Sequence, residues 1–90
     1  MKYVLFWEFD PADMNAVIKK WEKIKDVEVE NMKSISPNYA IGGEFSGFQI
    51  FEADNPDELL KYILYYAPEV KCRIDPVIEA EKVVEMWKVK

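Results

Sequence analysis

The chain contains no histidine. Imidazole is the side chain that titrates near neutrality and the commonest metal ligand, so its absence removes the usual general base, every triad built on it and most transition-metal chemistry. The single cysteine, Cys72, excludes an intramolecular disulfide and a thiolate metal cluster within one chain. No metal or cofactor is expected. Glycine is scarce, at three residues, and all three lie between positions 42 and 47. Cations are outnumbered: 12 Lys and Arg stand against 17 Asp and Glu, for a net charge of −5. A protein that binds nucleic acid by releasing counterions wants the opposite sign, so DNA and RNA are not expected partners. No stretch approaches the ~20 apolar residues of a membrane span. The opening apolar run from Tyr3 to Trp7 stops at Glu8, short of the about 7–15 residues of a secretory signal. A cytoplasmic protein without a membrane partner is expected.

Against these absences, 50% of the 90 residues are apolar and 32% are charged. That balance suits one packed domain spanning residues 1–90 and argues against disorder. Lys2–Phe9 is rich in aromatic and β-branched residues and is stopped by Asp10-Pro11, which reads as a strand entering a capped helix. Met14, Val17, Ile18, Trp21 and Ile24 recur at helical spacing, with lysines on the other side. The helix fades between Asp26 and Lys33, where Val27 and Val29 alternate with acids. Ser36-Pro37-Asn38 is a breaker, and a short strand follows around Tyr39–Ile41. Gly42, Gly43, Ser46 and Gly47 read as a hairpin into a strand over Phe48–Ala53; turn geometry explains these glycines better than a phosphate loop, which needs a helix directly after it. Asn55-Pro56 restarts a helix, with Glu58 placed as in a capping box and Leu59, Leu60, Ile63, Leu64 and Ala67 as its buried stripe. Glu69–Val77 alternates, and Pro76 assigns that strand to a sheet edge. Ala80, Val83, Val84 and Trp87 mark a last short helix.

The order β-α-β-β-α-β-α is supported by a weak internal repeat. Phe6-Trp7-Glu8-Phe9-Asp10-Pro11 matches Phe51-Glu52-Ala53-Asp54-Asn55-Pro56, strand end into capped helix. Two interleaved β-α-β halves give an α+β, ferredoxin-like fold: a four-stranded antiparallel sheet with both main helices on one face and an extra C-terminal helix. Helices then shield one side only, yet the first strand is apolar on both sides, with Tyr3, Leu5, Trp7 and Phe9 opposite Val4 and Phe6. The expected uncovered face carries Lys71, Arg73 and Asp75 near Trp7, Leu5 and Phe51. Each large apolar side chain left wet forgoes roughly 1.5–3 kcal/mol, so a second copy is expected to cover that face as a two-fold homodimer, with higher oligomers open.

The run Lys2-Tyr-Val-Leu-Phe-Trp-Glu-Phe, then Gly42-Gly43, then Gly47-Phe-Gln-Ile-Phe-Glu-Ala-Asp-Asn-Pro-Asp-Glu-Leu, and finally Ile74-Asp-Pro-Val-Ile resembles a family of short, uncharacterised prokaryotic proteins placed in the dimeric α/β-barrel superfamily. The likeness covers nearly the whole chain, and its motifs are structural. It implies the same dimer and transfers no catalytic residue. Other members of the superfamily include cofactor-free monooxygenases, lactone isomerases, regulatory ligand-binding domains and haem-degrading enzymes; the haem-binding branches rely on a histidine that this chain lacks.

Candidate ligand-binding residues are Trp7, Glu8, Phe51, Lys71 and Arg73. A basic pair within an aromatic cavity can hold a small carboxylate or an enolate-type anion; the competing reading is a salt bridge between subunits. Glu8 and Glu52 end equivalent strands and could form an acid/base pair, or be ordinary strand-end charges. Asp54, Asp57 and Glu58 read as capping rather than as a hard-cation loop. Tyr39, Tyr62, Tyr65 and Tyr66 could offer phenol donors or simply pack, and Cys72 reads as a small hydrophobe. Three functions follow from different classes: a non-catalytic small-molecule-binding dimer, favoured by the missing chemistry; a cofactor-independent enzyme acting on a small aromatic or carbonyl compound; and a structural oligomerisation module.

Overall fold

A computed structural model describes residues 1–24 and 32–89. The elements are β1 (Lys2–Phe9), a short 3-10 turn (Pro11–Asp13), α1 (Met14–Glu22), β2 (Met32–Ser34), β3 (Tyr39–Ala40), β4 (Ser46–Ala53), α2 (Asp57–Tyr66), β5 (Val70–Val77) and α3 (Ala80–Lys88). The architecture is α+β, an open antiparallel sheet with three helices. The expected end of the first helix, with Val27 and Val29, lies outside the described residues.

The junctions from β1 into α1 and from β4 into α2 use the same local device. Asp10 Oδ1 accepts from the Ala12 N–H at 2.8 Å, and Asn55 Oδ1 accepts from the Asp57 N–H at 2.9 Å. In each case a proline follows the capping side chain and supplies a fixed φ for the first turn. The repeat seen in the sequence is therefore a repeated cap, although α2 begins at Asp57 rather than at Pro56.

Among the described residues the sheet has five strands, not four. Its order is β2-β4-β1-β5, with β3 also paired to β4. β2 lies opposite Phe51–Ala53 and β3 opposite Gly47 and Phe48, so both flank the same edge of β4. Between them the Ile35 and Ser36 N–H groups both donate to the Ile50 carbonyl, at 2.9 and 3.3 Å. Two residues against one is a bulge, and it interrupts the edge strand. Pro76 sits in the outer strand β5, where its missing N–H costs no ladder bond.

Register corrects the expected faces. Trp7 opposes Cys72, Leu5 opposes Ile74, and Tyr3 opposes Phe51, so these side chains share one side of the sheet. That is the helix-covered side: Tyr3, Leu5, Phe51, Ala53 and Leu59 form the buried cluster, with Trp7, Tyr62, Cys72 and Ile74 packed against it. Leu5 and Phe51 are thus core residues. The open side instead carries Val4, Phe6, Phe48 and Ile50, with Glu8, Lys71, Arg73 and Asp75 in register beside them.

The two main helices are held unequally. Leu59 of α2 is 0% exposed and completes the core. α1 has no buried residue, and Trp21 in its apolar stripe is 57% exposed. α3 also has no buried residue. Among the described residues no helix is long and apolar enough to cross a membrane.

Candidate functional site

Because α1 stands off the sheet, a cavity of about 520 Å³ opens beneath it. Its floor is the covered face of the sheet, with Leu5, Trp7, Phe9, Phe51 and Cys72; α1 contributes Val17, Ile18 and Trp21, and α2 contributes Tyr62 and Tyr66. The volume lies within the usual range for small-ligand sites. Among the described residues no Asp, Glu, Lys or Arg borders it.

Trp7 is fixed from two sides. Its Nε1–H donates to Asn38 Oδ1 at 2.7 Å, and its ring stacks on Phe9 with centroids 5.9 Å apart. Across the ladder sits Gly47, where a Cβ would collide with the Trp7 ring and with the Tyr39 carbonyl oxygen. Gly47 is therefore a strand residue kept small by an overlying indole, not a turn glycine. Gly43, at φ 82°, does serve the turn. Gln49 Nε2–H donates to Ser34 Oγ at 2.7 Å and to the Ser36 carbonyl at 3.2 Å, which ties the cavity wall to the bulge.

Burial pushes the phenols of Tyr62 and Tyr66 above their ordinary range, and Tyr66 is raised further by Tyr65, Tyr62 and Cys72. Burial likewise raises the Cys72 thiol. All three groups hold their protons at neutral pH and face the cavity as hydrogen-bond donors rather than as bases or nucleophiles.

The structure divides the five sequence candidates. Trp7 and Phe51 line the cavity. Glu8, Lys71 and Arg73 do not; with Phe6 and part of Trp7 they border a separate depression of about 320 Å³. There the charges are already partnered: Lys71 Nζ lies 3.6 Å from Glu8, Arg73 Nε lies 3.0 Å from Asp75, and the guanidinium sits 4.6 Å above the Phe6 ring. Glu8 and Glu52 are not a carboxylate pair, since Glu52 opposes Lys2 and Glu8 opposes Ser46, at opposite ends of β1 and about 20 Å apart at the strand rise. Tyr39 packs against Phe48 in a tilted pair with ring centroids 5.4 Å apart, away from Tyr62 and Tyr66, and Tyr65 donates to the Lys20 carbonyl at 2.6 Å. Among the described residues no group of three or more His, Cys, Asp or Glu is placed to hold a metal ion. Asn38 and Gln49 were missed from the sequence; Asn38 was visible only as part of a breaker.

An open antiparallel sheet with helices over one face defines an α+β domain, with the candidate cavity between its layers. The chain belongs to the family described as domain of unknown function (DUF3303), whose model matches residues 1–90. No curated protein matches it. Among solved structures it is similar to a de novo designed protein, Foldit4, at 13% identity and a TM-score of 0.36, over 86% of this chain and 96% of that one. A likeness at that level carries no argument about this chain.

Proposed function

We propose that the protein is a cytoplasmic, homodimeric binding domain that takes a small molecule in the cavity beneath α1. The observation that carries this reading is the cavity itself. An amphipathic helix normally buries its apolar stripe against a core, whereas Met14, Ile18 and Trp21 remain 40%, 40% and 57% exposed around a space of about 520 Å³. A ligand entering that space covers surface the chain leaves wet, and the protonated phenols and carboxamides of its wall suit holding rather than converting it. Saturable fluorescence enhancement of 1-aminoanthracene tests the reading. Binding is expected in the native protein and is expected to be lost in Ala40→Trp, which fills the cavity from an exposed lining position. No saturable binding in the native protein overturns it.

Dimerisation is supported by surface and shape. A compact monomer of 10.6 kDa should expose about 5,500 Å², and this chain exposes 6831 Å². Its radius of gyration is 15.1 Å, against about 12 Å for a compact domain of this length. The excess surface is of the order that one partner of a standard interface loses. The open face supplies an apolar patch, Val4, Phe6, Phe48 and Ile50, flanked by charges of both signs, with Lys71 beside Glu8 and Arg73 beside Asp75. If β2 and β3 count as one interrupted strand, the sheet order is ferredoxin-like, and two such sheets face to face form a dimeric α/β barrel.

A further inference from the structure

We infer that the cavity selects a neutral, aromatic-rich molecule carrying one small hydrogen-bonding group, and that it discriminates against carboxylates and ammonium compounds. The inference rests on the cavity being a ligand site and names what that site takes. Charged residues make up 32% of the chain, yet among the described residues none borders this space. On α1, Lys20 is already neutralised: its Nζ pairs with Glu69 and donates to the Ala67 carbonyl at 3.0 Å. An ionised ligand would therefore leave water without meeting a counter-charge, the costliest way to bury a polar group. The wall's own titratable groups obey the same constraint, since burial favours the neutral forms of Tyr62, Tyr66 and Cys72.

The aromatic preference comes from the lining. Trp7, Phe9, Trp21, Phe51, Tyr62 and Tyr66 surround one space, and ring pairs gain from stacking and edge contacts beyond their area. The polar requirement comes from two carboxamides, each half used. Asn38 accepts from Trp7 through Oδ1, which leaves its NH2 group as a donor; Gln49 donates through Nε2, which leaves Oε1 as an acceptor. Among the described residues neither remaining group has a hydrogen-bond partner. A phenol, aryl amine, amide or carbonyl satisfies one or both, and a plain hydrocarbon satisfies neither.

The test compares three ligands on one ring system with the native protein: 1-aminoanthracene by direct titration, then anthracene-1-carboxylate and 1-(aminomethyl)anthracene by displacement. The neutral amine is expected to bind more than about tenfold tighter than either ion, the size of discrimination a site gains when a buried charge goes unpaired. Asn38→Leu and Gln49→Leu, each checked for an unchanged circular dichroism spectrum, are expected to weaken the neutral amine about three- to tenfold, the range of one lost hydrogen bond. Either ion binding within tenfold of the neutral probe overturns the selection for neutrality and leaves the cavity as a ligand site. Undiminished amine binding in both variants overturns the polar requirement. Failure of all three compounds to bind removes the ligand site itself.

Discussion

A methyl group added at Gly47 has nowhere to go, because the Tyr39 carbonyl is backbone and the Trp7 ring is held by Asn38 and Phe9. Gly47→Ala is expected to destabilise the fold by about 1–3 kcal/mol, as overpacking does, and to disturb Trp7 fluorescence. Gly43→Ala should cost about 1 kcal/mol through its positive φ alone, while Gly42, with open space around it, tolerates alanine. Urea denaturation of the three variants separates close approach from turn conformation. Titration supplies a second test at this scale. The Lys20 hydrogen bond holds the Glu69 carboxyl below its ordinary value. A carboxyl depressed in the folded state stabilises fully above its unfolded pKa of about 4.3 and loses that contribution as the pH falls through the folded value. Glu69→Gln should therefore lower the midpoint at pH 6 and leave it nearly unchanged at pH 2.5. The phenol of Tyr66 is raised instead. Stability should consequently fall as the pH climbs past about 10, where the unfolded chain ionises first, and Tyr66→Phe should blunt that fall.

Elements differ in how firmly they are tied to the sheet, and paired truncations expose the difference. Leu59→Ala in α2 removes a fully buried side chain and is expected to cost about 2–5 kcal/mol. Ile18→Ala in α1, at 40% exposure on a cavity wall, should cost under about 1 kcal/mol in urea denaturation of the free protein. Much of this arrangement is written locally. The caps at Asp10 and Asn55, the aromatic strand β1, the stripe of α2 and the edge proline of β5 each follow from a few adjacent residues. β2 is not legible, because three residues reading Met-Lys-Ser carry no alternation and gain their strand geometry only from pairing with β4. The face error has a different cause. Both faces of β1 are apolar, so period two shows which residues belong together but not which set meets the helices. Register settles it by setting Trp7 opposite Cys72 and sending Lys71 and Arg73 to the other side. A candidate site assembled from Trp7, Phe51, Lys71 and Arg73 therefore splits between the two faces of the sheet, Phe51 on one and the basic pair on the other, with Trp7 bordering both depressions.

For the molecule as a whole, the extents of 51 × 32 × 19 Å describe a chain that does not close over itself. The rings of Phe6 and Phe48 approach to 6.3 Å on the open face, and Arg73 covers only part of Phe6. On α3, Val83 and Val84 are 57% and 52% exposed. The proposed two-fold mate would bury the open face, and with Lys71 beside Glu8 and Arg73 beside Asp75 each cation would be placed to trade its own acid for the mate's. Light scattering coupled to size exclusion should give twice the chain mass at micromolar concentration. Phe6→Lys places a charge at the centre of that patch, where like charges would meet across the axis, and should yield monomers whose circular dichroism remains native, since Phe6 points away from the Leu59 core. Val83→Lys, outside the Val4, Phe6, Phe48 and Ile50 patch, should weaken association less. If Phe6→Lys keeps the native mass, or if the native protein itself runs as a folded monomer, the open face is not where copies meet.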